Sequence, residues 1–159
     1  MDLRFFQEKL NILVFLIFLK MGYIFDMKSK YPKLRKEAKK YRKRAHSPYS
    51  EIKVGAAVAM GGKLFGGCNV ENRSYGGTIC AERTAILKAV SEKFINISAL
   101  YLYTKELWSP CGLCLQVMSE FMDPDAVVIL GSKDREEVYK LKDLMPMPLT
   151  EEGYQNNKS

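Results

Sequence analysis

The chain has 159 residues, 47% of them hydrophobic and 27% charged. That balance excludes wholesale disorder, a collagen-like fibre and a membrane bundle, and leaves room for one compact domain. The formal charge of +7 is local: residues 28–44 hold seven lysines and three arginines against one glutamate, a balance of +9 that leaves the rest of the chain at −2. Overall basicity is therefore a weak argument for a nucleic-acid partner. Four cysteines are too few for a disulfide scaffold and are read as thiols of a reducing, cytoplasmic setting.

Residues 1–27 differ in character from the rest of the chain. The apolar run 12–19 is far short of the roughly 20 residues of a transmembrane helix, and no small-residue cleavage site succeeds it. Two readings stay open: an extension ahead of a native start at Met21 or Met27, or a short membrane-surface anchor. No membrane partner is expected. Residues 28–150 are expected to form the domain and 151–159 a polar tail. Tyr31, Leu34, Ala38, Tyr41 and Ala45, spaced 3, 4, 3, 4, predict an amphipathic helix with its basic face in solvent. No exposed aromatics interleave its charges, so no stable nucleic-acid partner is expected.

Ser47-Pro48-Tyr49-Ser50 breaks this helix. Residues 52–59 and 63–71 read as two strands of a hairpin about Gly61-Gly62, with 72–77 a loop. Residues 80–90 read as a helix and 98–104 as a buried strand. Pro110 opens a helix running to about Met122, 126–130 is a further buried run, and 138–144 is a weaker strand or short helix. A hairpin followed by alternating helices and strands predicts an α/β fold, one mixed sheet with helices on both faces.

Two segments carry chemistry: Cys80-Ala81-Glu82-Arg83 and Ser109-Pro110-Cys111-Gly112-Leu113-Cys114. Cys-x-x-Cys alone is compatible with redox chemistry or structural zinc. Here Cys111 and Cys114 lie on one side of a first helical turn, and Cys80 opens a second helix. Helix N-termini favour thiolate over thiol, so three thiolates could bind zinc and leave a fourth position open, as catalytic zinc requires. Cys68 precedes Asn69 in a predicted strand and points to the face opposite Asn69 and Glu71, away from such a metal. A closed structural site would instead recruit it. Glu82, two residues from a zinc thiolate, can take a proton from metal-activated water and return it to the substrate. Arg83, one turn along from Cys80, can hydrogen-bond the thiolates and draw off their charge.

These segments, with Val54-Gly55-Ala56-Ala57, Asn69-Val70-Glu71-Asn72 and Ser74-Tyr75-Gly76, resemble the small zinc-dependent cytidine deaminases over roughly residues 31–149. The resemblance implies a three-layer α/β/α cytidine deaminase-like fold with a central mixed sheet. It implies zinc on Cys80, Cys111 and Cys114, with Glu82 as the catalytic proton shuttle. Asn69 and Glu71 match the residues that grip the ribose hydroxyls. The implied reaction is hydrolysis at C4 of cytidine or deoxycytidine with release of ammonia, in pyrimidine salvage, by a homotetramer whose active sites are shared between subunits.

Three positions depart from the family pattern. Ile52 stands where a phenylalanine usually lies beside the base, Leu149 replaces a second pocket aromatic, and Leu115 replaces an arginine, although Gln116 comes next as usual. Two rivals remain. One is a deaminase of a modified cytosine nucleoside such as an aminoacylnucleoside antibiotic, against which Asn69 and Glu71 argue. The other is a basic zinc module that binds or edits nucleic acid, supported only by the basic helix.

Overall fold

The computed structural model describes residues 29–151 and Gly153. The readings of residues 1–27, and nearly all of the expected tail, lie outside the described residues. Helix α1 (Pro32–Arg42) starts with proline at its first turn, where a missing N–H costs nothing, and ends on Lys39, Lys40 and Arg42, which complement the negative end of its dipole. Strands β1 (Gly55–Met60) and β2 (Lys63–Cys68) form the expected antiparallel hairpin. Gly61 and Gly62 both take positive φ, 54° and 80°, as a tight two-residue turn requires. Helix α2 (Ala81–Ser91), strand β3 (Ile97–Tyr103), helix α3 (Gly112–Phe121), strand β4 (Met122–Gly131), strand β5 (Glu136–Lys140) and the single turn α4 (Leu141–Leu144) complete the order.

The five strands form one sheet in the order β2-β1-β3-β4-β5, with β3 and β4 parallel and the other neighbours antiparallel. Alternation along the strands sends side chains to two faces. Ala57, Tyr101, Tyr103 and Ile129 meet Leu34 and Ala38 of α1. Ala56, Val58, Leu100, Leu102, Val128 and Leu130 meet α2 through Ala81, Ala85, Ile86 and Ala89, and α3 through Cys114 and Met118. The result is the expected α/β/α sandwich. The basic helix covers one face of the sheet; the two cysteine-bearing helices cover the other.

Helix α2 lies so close to β2 that a Cβ on Gly67 would come within 2.9 Å of Ala85 Cα. At the far edge, Glu136 of β5 accepts from the buried Tyr101 hydroxyl (2.8 Å), from Ser29 Oγ (2.6 Å) and from the Lys30 N–H (3.2 Å), tying the start of the described chain to the sheet.

Several boundaries differ from the sequence expectation, among them the start of β4, at Met122 rather than 126. β1 begins at Gly55 rather than at 52, because the Asn69 side chain takes over the backbone there: Val54 N–H donates to Asn69 Oδ1 and Asn69 Nδ2 donates to the Ile52 carbonyl, both at 2.8 Å. β2 ends at Cys68, and Val70 forms isolated bridges to His46 and Ile79 instead. Residues 138–144 are both strand and helix, the chain turning at Lys140 where β5 gives way to α4.

Candidate active site and metal centre

Cys80 is the N-cap of α2 and Cys111 the N-cap of α3, each with extended backbone. A serine or aspartate at that position would spend its side chain on the first-turn N–H groups. Neither cysteine caps in this way, so both sulfurs stay free at the positive ends of two helix dipoles. Cys114 lies in the first turn of α3, fully buried. The three Sγ atoms lie within 4.8 Å of one another, with Cys80–Cys111 at 3.9 Å and Cys111–Cys114 at 3.5 Å. Sulfurs around a tetrahedral zinc, with Zn–S about 2.3 Å, stand about 3.8 Å apart. The cluster therefore fits zinc with one position left over. It is the one such group among the described residues. Cys68 is outside it, its thiol directed to the Arg44 carbonyl at 3.4 Å.

A hydrogen bond from the Cys114 thiol, followed by those from Arg83 and Cys111, pulls Cys80 down to about 5, so it is a thiolate at neutral pH. The same bond, with burial and nearby negative charge, pushes the Cys114 thiol well up. Arg83 Nη2 lies 3.6 Å from Cys80 Sγ and donates to the Thr78 carbonyl at 2.9 Å, which places its charge on the thiolate as expected from one helical turn. Glu82, on the first turn of α2, is only 4% exposed. Burial is the main force raising its pKa to about 7, and the Cys80 thiolate adds to it.

A cavity of about 220 Å³ opens beside the cluster. Cys80, Cys111 and Glu82 line it, and so do Asn69 and Glu71. The residues marked for metal binding, proton transfer and ribose contact, except the buried Cys114, therefore meet on one cavity. Asn69 and Glu71 also hold backbone, a role the motif does not announce. Glu71 accepts from the N–H groups of Tyr49 (3.0 Å) and Ser50 (3.2 Å) and from the Ser50 hydroxyl. This fixes the turn that leads through Glu51, at φ 59°, into Ile52 on the cavity wall. Ile52 lines the cavity as the resemblance implies; Leu149 does not. Leu149 is 59% exposed and clamped to α3 by paired hydrogen bonds with Gln116, at 3.0 and 3.1 Å. Trp108 also lines the cavity, although neither motif nor spacing marks it. Its only sequence signal is that the single tryptophan of the chain stands three residues before a zinc cysteine.

Two helix N-termini presenting three cysteine sulfurs, with a buried carboxyl group beside them in a cavity, define a zinc-dependent hydrolase of the nucleoside deaminase class. Residues 28–130 match the family model described as the cytidine and deoxycytidylate deaminase zinc-binding region. Similar chains include a cytidine deaminase of Halalkalibacterium halodurans, 44% identical over 124 residues, covering 75% of this chain and 93% of that relative. A cytidine deaminase of Sporosarcina psychrophila is 46% identical over 101 residues, 62% of this chain and 74% of that one. The crystal structure of cytidine deaminase from Burkholderia pseudomallei superposes with a TM-score of 0.73 at 38% identity, covering 76% of this chain and all of that one. The chain belongs to the cytidine and deoxycytidylate deaminase family. Its metal is zinc, held by Cys80, Cys111 and Cys114.

Proposed function

We infer that the protein deaminates cytidine and deoxycytidine hydrolytically to uridine and deoxyuridine, releasing ammonia, as a step of pyrimidine salvage. The observation that carries this reading is the buried Glu82 carboxyl on the same cavity as the three-cysteine cluster. When bound, zinc supplies a Lewis acid that makes water a nucleophile near neutral pH. Glu82, not a ligand, carries the two protons of the attacking water, one to N3 of the base and one to the departing nitrogen. The C4–O bond forms first and the C4–N4 bond then breaks, so cytidine plus water gives uridine plus ammonia. Arg83 spreads the negative charge of the thiolates, and so preserves the electrophilic pull on water. Asn69 and Glu71 retain a free amide hydrogen and carboxylate lone pairs beyond the backbone bonds they make, and these are the groups we assign to the ribose hydroxyls.

Asn69 and Glu71 line the cavity beside the metal cluster, and a pair suited to ribose hydroxyls favours an unmodified nucleoside over an aminoacylated one. The basic helix sits across the sheet from the zinc cluster, which removes the main support for a nucleic-acid editing module. Among the described residues no helix is long and apolar enough to cross a membrane. We also propose a reducing, cytoplasmic location, since three of the four cysteines are gathered into one metal-binding cluster rather than placed as a disulfide framework. We further propose a homotetramer. Exposed Leu113, Met147 and Leu149 form apolar surface suited to cover by a neighbouring subunit.

The decisive test is Glu82→Gln. The variant should keep one zinc per chain and its fold, and lose about 10²–10⁴-fold in turnover of cytidine, monitored by ultraviolet absorbance. Near-normal turnover with zinc bound would remove Glu82 from the mechanism.

A further inference from the structure

Trp108 is an anomaly in the packing. It is the largest side-chain type in the chain and occurs once, yet it is 46% exposed while lining the zinc cavity. Among the described residues its ring pairs with no other aromatic and its indole N–H donates to no acceptor. Such a ring is normally covered, with its N–H satisfied. Among the described residues Tyr75 is the only other aromatic ring that lines the cavity. Ile52, Val54 and Leu102 are aliphatic, and Tyr75 is already engaged edge-on with Tyr49, centroids 6.2 Å apart and planes at 89°. Trp108 is also placed well for the reacting base. Ser109, its neighbour in the chain, lines the same cavity, and Cys111 two residues later is a zinc ligand. The indole is therefore tied by a short piece of backbone to the metal centre.

We propose that Trp108 is the aromatic face on which the pyrimidine ring of the substrate stacks, the residue that sets affinity for the base in a cavity whose other aromatic ring, Tyr75, is engaged edge-on with Tyr49. This rests on the nucleoside deaminase function. Stacking of a base on an aromatic ring is sequence-tolerant and present equally in ground and transition states. It therefore lowers KM without raising kcat.

The single tryptophan makes the contact directly readable. Uridine titrated into the zinc-loaded protein should change the indole emission over the same concentration range in which calorimetry detects binding; ribose alone should leave the emission unchanged. Trp108→Leu should raise KM for cytidine by about fivefold or more, with kcat little altered and the same elution on gel filtration. Trp108→Phe should retain most of the affinity, and adding Ile52→Phe to Trp108→Leu should recover part of the loss. Uridine binding with unchanged emission, together with an unchanged KM in Trp108→Leu, would overturn the proposal and leave the deaminase reading standing. A Trp108→Leu variant that dissociates on gel filtration while its KM stays constant would assign the ring to a subunit contact and overturn it as well. If the parent protein neither turns over cytidine nor binds uridine, the nucleoside reading falls, and the proposal with it.

Discussion

Glu71 shows how a single side chain can serve both the pocket and the backbone that shapes it. The Ser50 hydroxyl, then the N–H groups of Tyr49 and Ser50, lower its pKa below the usual 4.5. A folded-state pKa below the unfolded one contributes stability that is complete above pH 4.5 and is lost as pH falls through the lower, folded value. Ser50→Ala removes the largest of these bonds. Urea unfolding should therefore find the variant less stable than the parent above pH 4.5, with the gap narrowing on acidification; a gap independent of pH would show that ionised Glu71 is not involved. Cys68 makes the contrasting case. Its thiol faces the Arg44 carbonyl and burial raises its pKa. Cys68→Ser should keep one zinc per chain in metal analysis, whereas Cys80→Ala, Cys111→Ala and Cys114→Ala should each lose it or bind it far more weakly. Zinc loss from the Cys68 variant would indicate a closed four-cysteine site. The sequence marked these roles because a cysteine at the start of a helix has a direction built into it. It did not mark the backbone duties of Asn69 and Glu71, which depend on which loops are folded against them.

Among the elements, α2 is the one whose position matters most, since it carries Glu82 on its first turn and Cys80 as its cap. Its seat is Gly67 on β2, where an added Cβ meets the Ala81 carbonyl and the Ala85 backbone. Those neighbours are main chain and cannot rotate aside, so Gly67→Ala must push the helix from the sheet. We expect a loss of about 1–3 kcal/mol in stability, seen in thermal or urea melts, with a fall in kcat as Glu82 and Cys80 shift together. A variant with full activity and unchanged melting would mean that the helix has slack. The hairpin, the three long helices and the buried strands were legible because their periods are unambiguous and Gly61-Gly62 admits little else. The strand ends were not. At 52–54 side-chain hydrogen bonds with Asn69 replace the ladder, and at 69–71 the backbone bridges to His46 and Ile79 instead, neither of which alternation of apolar residues can reveal.

At the scale of the whole molecule, the sheet separates two kinds of surface. Lys39, Arg35 and Arg42 gather around the ring of Tyr103, and Lys40, Arg44 and Lys88 around Tyr41. The positive charge that dominates the composition is thus partly engaged with aromatic faces on or near α1, opposite the metal. Composition alone could not separate this from a nucleic-acid surface; the burial of Leu34 and Ala38 against the sheet does. The triad and its glutamate could be read from two short motifs, but Trp108 could not, because a lone tryptophan in a loop has no period and its meaning comes from the cavity it faces.

The capping positions of Cys80 and Cys111 have a consequence for the endurance of the protein. The two residues are 31 apart in sequence, and one ion coordinated by both fastens the ends of separate helices across that span. Such a fastening acts as a reversible cross-link. The folded chain binds the ion and the unfolded chain does not, which ties the folded population to the free metal concentration. The melting temperature should therefore rise with added zinc and fall in a strong chelator, and Cys111→Ala, which unfastens α3, should lose most of that response. Glu82→Gln should keep the response in full, so that thermal endurance and turnover, housed within one small site, can be removed separately.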